Sequence, residues 1–594
     1  MTASSEKKWR LLPHSGDSAN NLAKKANISP VIAQLLWNRG IREPKDAQWF
    51  LNPALKGLRD PAELPGNLEA AKLILAAIEQ NKVICIYGDY DADGLTGTSI
   101  LVRFLKLLGT NPRFFVPNRL EDGYGLSSSA LESLAKSGVQ MVVTVDCGIA
   151  SIIEAEKAQS LGLDLIITDH HAMKPQLPKA SAIVHPRLPG TNYPFGELSG
   201  SAVALKLVWM MAVLKSGNSK VEQHFRDFLV EAISLASLGI VADVVPLLDE
   251  NRILVKSGLE RLTKSPFPGL KAMVEESELS GKRELSSTDI GFKLAPRINA
   301  VGRIGCAQLV VDLLTTNRPE VAKKTAEFLS DQNRQRQRME KQILSEAREI
   351  ASLPEYKDMP FLLLAKEDWH PGIIGIVAGR ILEEFQKPTI ILAPVNRKED
   401  DGNDSIIWSG SGRSGNLLDL HAFLASCDEL LIRHGGHRAA AGLQVESSRI
   451  PEFRNRLCEL TSSQFPTGLE YPPLILDAEV PLAALSVKLV RELNQLEPYG
   501  AENKKPLYMA SDLQIAREPS LVGEDGQHLR FQVSQGGVNL WAIAFRMGKR
   551  KDELMSQAGK CSVAFTPSIN SWNGSDSVQL EIHDFQAGDK PLLI

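Results

Sequence analysis

From Val83 to about Ala204, short β-branched or aliphatic runs alternate with helical patterns: VICIYG, MVVTV, LDLIIT and SAIVH mark the runs. Alternation at this spacing predicts a parallel, doubly wound α/β sheet. Ahead of it, residues 1–70 read as short helices broken by proline, as in SPVIAQLLWNRG and PKDAQWFLNP. Behind it, 202–262 is mostly helical. Residues 318–352 hold few breakers and many Glu, Lys, Arg, Gln and Ala, which predicts one long helix joining two lobes. A second α/β pattern follows in FLLLA, the helical IIGIVAGRILEEF, PTIILAP and SIIWSGSG. From about 470, polar turns separate the short strands LILDAEV, LRFQV, NLWAIAF, CSVAF and VQLEI, the signature of a small OB-like β-barrel. The expected division is 1–70, a helical segment; 71–315, the first α/β domain; 316–353, the connecting helix; 354–466, the second α/β domain; and 467–594, the barrel.

Composition adds limits. At 594 residues the chain exceeds what one core usually serves, so three or four domains are expected. Hydrophobic residues at 43% and charged residues at 23% describe an ordinary globular protein. Lys and Arg number 67 against 71 Asp and Glu, a net charge of −4, so any nucleic-acid surface must be local. The 6 cysteines form no C-x-x-C pair and offer neither a zinc site nor a disulfide framework. MTASSEKKWRLL lacks the apolar run of a signal peptide, and no stretch reaches the roughly 18 uncharged apolar residues of a membrane span. A cytoplasmic protein without membrane contact is expected.

Chemistry concentrates at strand ends. GDYDADGLTG, residues 88–97, spaces Asp89, Asp91 and Asp93 by two. In an extended segment such residues point the same way, so their carboxylates converge on a cation or else form a solvated polar turn. MVVTV runs directly into Asp146, and LDLIIT into Asp169, His170 and His171. Three consecutive strands thus deliver acid or imidazole at their C-terminal ends, the edge where doubly wound sheets bind ligands. Asp243 follows the helical SLASLGIVA and repeats the pattern more weakly, since it can equally be a helix-end residue. Several carboxylates with one or two imidazoles and no thiolate favour Mn²⁺ or Mg²⁺ over structural Zn²⁺. So many negative ligands suit two ions and phosphoryl displacement.

DYDADG, DCG, TDHH and ADVVPL, in this order, resemble the motifs of the DHH phosphoesterase superfamily. Within it, NRLEDGYG, PRINAVGR, WHPGIIGIVAGR, GSGRS, GGHRAAAG and LEPYGAEN are similar to motifs of the RecJ exonucleases, from about residue 80 to the end. The resemblance implies a DHH catalytic domain, a DHHA1-type second domain and an OB-like nucleic-acid-binding domain. Two departures touch no proposed ligand: Asp122 stands where the family has Glu, and Ile240 where Thr is common. By this resemblance Asp91, Asp93, Asp146, His170 and Asp243 are metal ligands, and Asp89 joins them as a catalytic carboxylate. His171 faces the scissile phosphate or the second metal, and Asp169 orients a histidine from behind.

For substrate, Arg119, Arg297 and Arg303 are candidates to hold phosphates, with Asn299 beside them; interdomain ion pairing is the alternative use of such arginines. Tyr124 is a candidate to stack on a base, or is ordinary packing. Ser411, Arg413 and His437 are chosen for a terminal 5′ phosphate, since Gly-rich turns let backbone N–H groups approach an anion. Arg334, Arg336 and Arg338 spread around the long helix and read as a solvated face. The residues themselves argue metal-assisted phosphodiester hydrolysis. Resemblance adds a monomeric 5′→3′ exonuclease on single-stranded DNA that releases 5′ mononucleotides in recombination and repair, with a single-strand DNA-binding protein as partner. The rivals are a phosphodiesterase of short oligoribonucleotides or cyclic dinucleotides, against which the β-rich tail argues, and a non-catalytic DNA-binding relative, against which the intact acids argue.

Overall fold

A computed structural model describes residues 8–117, 125–217, 220–302, 305–395, 406–572, 575–588 and 591–594. The first lobe is built on five parallel strands: Ile84–Gly88, Arg113–Phe115, Met141–Val145, Asp164–Thr168 and Ala182–Val184. Across the sheet the order is Arg113–Phe115, Ile84–Gly88, Met141–Val145, Asp164–Thr168, Ala182–Val184. Strands Ile84–Gly88 and Met141–Val145 are buried throughout, which is why their sequences carry no polar alternation. The chain winds outward in opposite directions from this central pair, so a crevice opens at their C-terminal ends. Helices Ala92–Leu107, Gly200–Ser216 and Gln223–Ala242 pack over one face and share its core.

The long helix is Pro319–Ala351, 33 residues, which at about 1.5 Å per residue spans roughly 50 Å. Its buried positions change partner along its length. Ala322, Ala326 and Leu329 join the core of the first lobe, whereas Ile343, Ala347 and Ala351 join that of the second. The first set recurs at steps of four and three and the second at steps of four, so both lie on stripes facing inward. The second lobe is a mixed sheet in the order Arg433–Gly436, Ala440–Glu446, Ile407–Arg413, Thr389–Val395, Leu362–Ala365. Helix Ile374–Phe385 covers one face, and helices Leu420–Ala425 and Ile450–Gln464 the other.

Strands Tyr508–Val522, His528–Gln535, Val538–Ala544, Ser575–Ala587 and Lys560–Trp572 form the C-terminal barrel in that spatial order, closed by pairing of the first with the last. Sequence pattern gave no hint of where residues 8–70 would pack. Helices Gly16–Ala26, Pro30–Asn38 and Pro44–Leu51 bury their apolar faces in the barrel's own core, hundreds of residues away. Trp9–Leu11 pairs in parallel with Leu474–Leu476, and the buried Trp9 indole donates to Asp584 at 2.8 Å. Arg252, from the first lobe, is fully buried and donates to the carbonyls of Phe50 (2.8 Å), Leu496 (3.0 Å) and Glu497 (2.9 Å). One guanidinium thereby ties the first lobe to both ends of the chain. No helix among the described residues is long and apolar enough to cross a membrane.

Candidate metal centre

Sheet hydrogen bonding continues one residue past three of these strands, and those three residues are acids. Asp89 N–H donates to Val145 O (3.1 Å), Asp146 N–H to Thr168 O (3.0 Å) and Asp169 N–H to Val184 O (3.2 Å). The three therefore stand side by side at the crevice. The extended alternation expected for Asp89, Asp91 and Asp93 is not what brings them in. The strand stops at Gly88, and Asp91 is the N-cap of helix Ala92–Leu107, its Oδ1 accepting from Asp93 N (2.9 Å) and Gly94 N (3.1 Å). Asp93 thus lies in the first helical turn, on a different side of the cluster from Asp89 and Asp91.

Three sets of side chains offer ligand atoms within 4.8 Å of one another: Asp89, Asp91 and Asp146; Asp93, His170 and Asp243; and Asp146, His170 and His171. Asp146 and His170 are each shared between sets. His170 Nε2 lies 3.0 Å from Asp146 Oδ1, 3.4 Å from Asp243 Oδ2 and 4.0 Å from Asp93 Oδ2. Asp89 Oδ1, Asp146 Oδ1 and His170 Nε2 are buried without hydrogen-bond partners. Buried polar atoms are rarely left unpaired, and these converge where a divalent ion would satisfy them. All-oxygen donors with an imidazole fit Mn²⁺ or Mg²⁺.

The electrostatics agree. Burial, then the charges of Asp93 and Asp91, holds the Asp146 carboxyl well above the usual range. Asp89 and Asp91 are raised by burial and by their acidic neighbours, and Asp243 is pushed up to about 8 by burial and by Asp93. Such acids cannot all ionise without a cation among them. Burial pushes His170 down to about 4, leaving it neutral as a ligand must be. His171 goes the other way. Burial would lower it, but its Nδ1 bonds Asp169 Oδ1 at 2.8 Å and it rises to about 9. Burial would likewise raise Asp169, yet the His171 contact and the N–H groups of Ile149 and His171 bring it to about 2. His171 therefore stands half-exposed at the edge of a carboxylate cluster, with Asp169 favouring its protonated form.

Sequence reading missed several supports. Ser199 Oγ–H (3.0 Å), Gly200 N–H (2.6 Å) and Ser201 N–H (3.0 Å) all donate to Asp93, placing the N-terminus of helix Gly200–Ser216 against it. A Cβ at Gly200 would lie 2.5 Å from Asp146 Oδ1, so only glycine allows this approach. His185, just past the edge strand, contacts His171 O through Nε2 at 2.9 Å, and Arg187 Nη2 donates to His170 O at 2.6 Å. The rule applied to three strand ends would have found His185 on the fourth. Asp146 and Val244 adopt left-handed backbone, φ 64° and 60°; for a β-branched residue this is strain, stored directly beside Asp243.

The remaining expected residues fall elsewhere. Arg119, Tyr124 and Arg303 lie outside the described residues. Asn299 Oδ1 accepts from Ala92 N at 2.9 Å and so braces the metal-side loop. Arg297 does not present the phosphate fork expected of it. Its donors go to Lys293 O (2.5 Å), Ser330 Oγ (3.1 Å) and Glu276 O (3.3 Å), because it packs the long helix onto the first lobe. Ser411 and Arg413 lie two apart on strand Ile407–Arg413, Arg413 Nη1 donating to Ser411 Oγ at 3.1 Å, and His437 is exposed nearby in sequence to strand Arg433–Gly436. Of the three long-helix arginines, Arg334 pairs with Asp331, whereas Arg336 lines a cavity at the lobe junction.

Comparison with known proteins agrees along the chain. Residues 83–236 match the family model of the DHH family N-terminal domain, 358–463 that of the DHHA1 domain and 476–584 that of the RecJ OB domain. The single-stranded-DNA-specific exonuclease RecJ of Bacillus subtilis is 34% identical over 582 residues, covering 98% of this chain and 71% of the relative. RecJ of Escherichia coli is 32% identical, covering 94% of this chain and 96% of the relative. The crystal structure of RecJ in complex with Mn²⁺ from Thermus thermophilus superposes with a TM-score of 0.81 at 30% identity, covering 98% of this chain and 80% of that one. The three domain matches and near-full-length identity above 30% agree, and the chain belongs to the RecJ family of single-stranded-DNA-specific exonucleases within the DHH superfamily.

Proposed function

We propose that this chain is a single-strand-specific DNA exonuclease that removes 5′ mononucleotides in the 5′→3′ direction, acting in recombination and repair. The observation that carries the reading is the buried cluster of unpaired ligand atoms on Asp89, Asp146 and His170, ringed by Asp91, Asp93 and Asp243. Asp91, Asp93, Asp146, His170 and Asp243, with Asp89, would hold two Mn²⁺ or Mg²⁺ ions. When bound, such ions polarise a phosphoryl oxygen, lower the pKa of water and offset charge on the leaving oxygen. Asp93 is fixed by three donors from the helix at Gly200, so its position is set before any ion arrives. Asp169 locks the His171 ring and keeps it protonated, so His171 can donate toward a non-bridging oxygen of the scissile phosphate.

Polarity is assigned to the second lobe. Ser411 and Arg413 share one face of their strand and meet the N-terminus of helix Ile374–Phe385, where a Cβ on Gly375 would lie 2.8 Å from Ser411 Oγ. A guanidinium, a hydroxyl and a helix N-terminus together suit a terminal 5′ phosphate, and we assign His437 to the same site. The barrel supplies sequence-independent contact with the strand. On this reading the domain limits are 71–315, 354–466 and 467–594, with 316–353 as connector, and a single-strand DNA-binding protein is the expected partner. The test is digestion of a 5′-labelled single strand with Mn²⁺, Mg²⁺ or EDTA. Labelled mononucleotide released with metal and absent with EDTA is expected. Cleavage of dinucleotides alone, or release from the 3′ end first, would overturn the reading.

A further inference from the structure

A cavity of about 580 Å³ opens beside the metal cluster where the first lobe, the long helix, the second lobe and the barrel's entry loop meet. Residues 241, 242, 244 and 245, which flank Asp243, form one wall together with Asn299, so the cavity adjoins the segment that carries this carboxylate. Two features set its character. Phe292 and Val244 are among the most exposed large apolar side chains, at 77% and 69%. And its charged lining is one-signed: Arg336, Lys504 and Lys505, with no carboxylate among the described lining residues. Arg336 shares its charge with Glu340 at 3.1 Å, so the two lysines carry most of the positive field. In a chain of net charge −4, a wall with three cations and no acid is a local reversal.

The backbone presents both features. Phe292 sits in a π-helical turn, Ile290–Leu294, whose extra residue per turn rotates the ring out of the core and into the cavity. The lysines ride on a loop held from three sides. Arg252 donates to Leu496 O and Glu497 O, Asn503 Nδ2 donates to Leu496 O and Pro498 O (both 2.8 Å), and Arg39 Nη2 donates to Lys504 O at 2.7 Å. Ala501 O accepts from Leu247 N–H at 3.0 Å, which fixes this barrel-side loop to the segment after Asp243. An exposed ring facing positive charge, next to a cluster that suits phosphoryl chemistry, matches a nucleotide: a π-face for the base and cations for the flanking phosphates.

Building on the exonuclease reading, we propose that this cavity seats a nucleotide of the single strand next to the scissile phosphate, with its base stacked on Phe292 and its phosphates held by Arg336, Lys504 and Lys505. The seat accepts any base, and it requires an unpaired one, since a base in a duplex has no free face to offer. It would thus contribute to single-strand selectivity as well as to affinity.

The experiment is an abasic walk. 5′-Phosphorylated oligo(dT) strands, each with one abasic site at a successive position, are digested with Mn²⁺ under steady-state conditions. Wild type should show KM raised about tenfold when the abasic site falls at one particular position. Phe292→Ala should have a raised KM on intact oligo(dT) and no such position, whereas Phe292→Trp should restore both. Phe292 is mostly solvent-exposed, so its removal leaves the core intact. In a parallel arm, the Lys504→Gln/Lys505→Gln double variant should show a shallower salt dependence of KM, its slope reduced by about 0.7 per phosphate contact removed; an unchanged slope would overturn the role of the two lysines. Identical abasic profiles for wild type and Phe292→Ala overturn the proposal. Failure of wild type to release nucleotides from oligo(dT) at all would instead remove the exonuclease reading beneath it.

Discussion

Two five-stranded sheets in this chain are put to opposite uses. In the first lobe every strand is parallel, so all C-terminal ends share one edge, and four of them deliver Asp89, Asp146, Asp169 and His185 there. In the second lobe most neighbours are antiparallel, so strand ends alternate and no such edge exists. Its polar side chains instead share a sheet face, as Ser411 and Arg413 do. The first arrangement crowds like charges until they are incomplete without a cation. The second is satisfied internally, with Arg413 donating to Ser411 Oγ and Gly412 O (2.7 Å). Topology thus separates a site that must recruit an ion from a face whose polar side chains already satisfy one another.

The contrast is broken most strongly at Asp146. Asp146→Asn should lower kcat by about a thousandfold or more, since the candidate ion-binding sets lose one of their two shared members. The same change relieves buried repulsion, so in EDTA the variant should melt about 3 °C above wild type by calorimetry, roughly 1 kcal/mol. A lower melting point in EDTA would mean the acids are not crowded as argued. Wild type should gain about 2.7 kcal/mol from Mn²⁺ at a hundred times its Kd, and Asp146→Asn should gain far less. One step down, Asp169→Asn should reduce kcat about 10- to 100-fold with KM little changed, because His171 loses the negative charge that favours its protonated form and fixes its ring. If Asp169 acts through His171, the double variant with His171→Ala should be no slower than His171→Ala alone. Smaller again, Arg413→Ala should raise KM for a 5′-phosphorylated strand about tenfold, leave kcat and Mn²⁺ stabilisation intact, and erase any preference over a 5′-hydroxyl strand. Loss of metal stabilisation in that variant would show the two lobes are not separate sites.

The same contrast explains what the sequence could disclose. Buried parallel strands write themselves as apolar runs, so MVVTV and LDLIIT pointed straight to Asp146 and Asp169. The long helix was legible from its composition, and the barrel from its turn spacing. Side-chain direction was not. Whether Asp91 lies on an extended segment or caps a helix depends on where strand Ile84–Gly88 ends, a boundary set by tertiary packing. Nor does any local pattern reveal that Ser199–Ser201 brings a helix N-terminus to Asp93, or that the N-terminal helices finish the barrel's core. Contacts between segments that are distant in the chain leave no periodic trace.

Arg297 gives the smallest and most discriminating effect, because sequence and structure assign it differently. As a phosphate fork, its loss would raise KM and reduce the salt slope by about 0.7. As placed, it bonds Lys293 O and Glu276 O in the first lobe and Ser330 Oγ on the long helix, at the point where that helix leaves the lobe. Its removal strands those half-buried acceptors and loosens the helix that carries Arg336 toward the junction. Arg297→Ala should therefore cost about 1–3 kcal/mol of stability, seen as a lower melting temperature. The salt dependence of KM should be unchanged, and KM itself should stay within about twofold at temperatures where the protein is folded. A reduced salt slope with an unchanged melting temperature would return Arg297 to the phosphate role and show that the lobe–helix joint rests on other contacts.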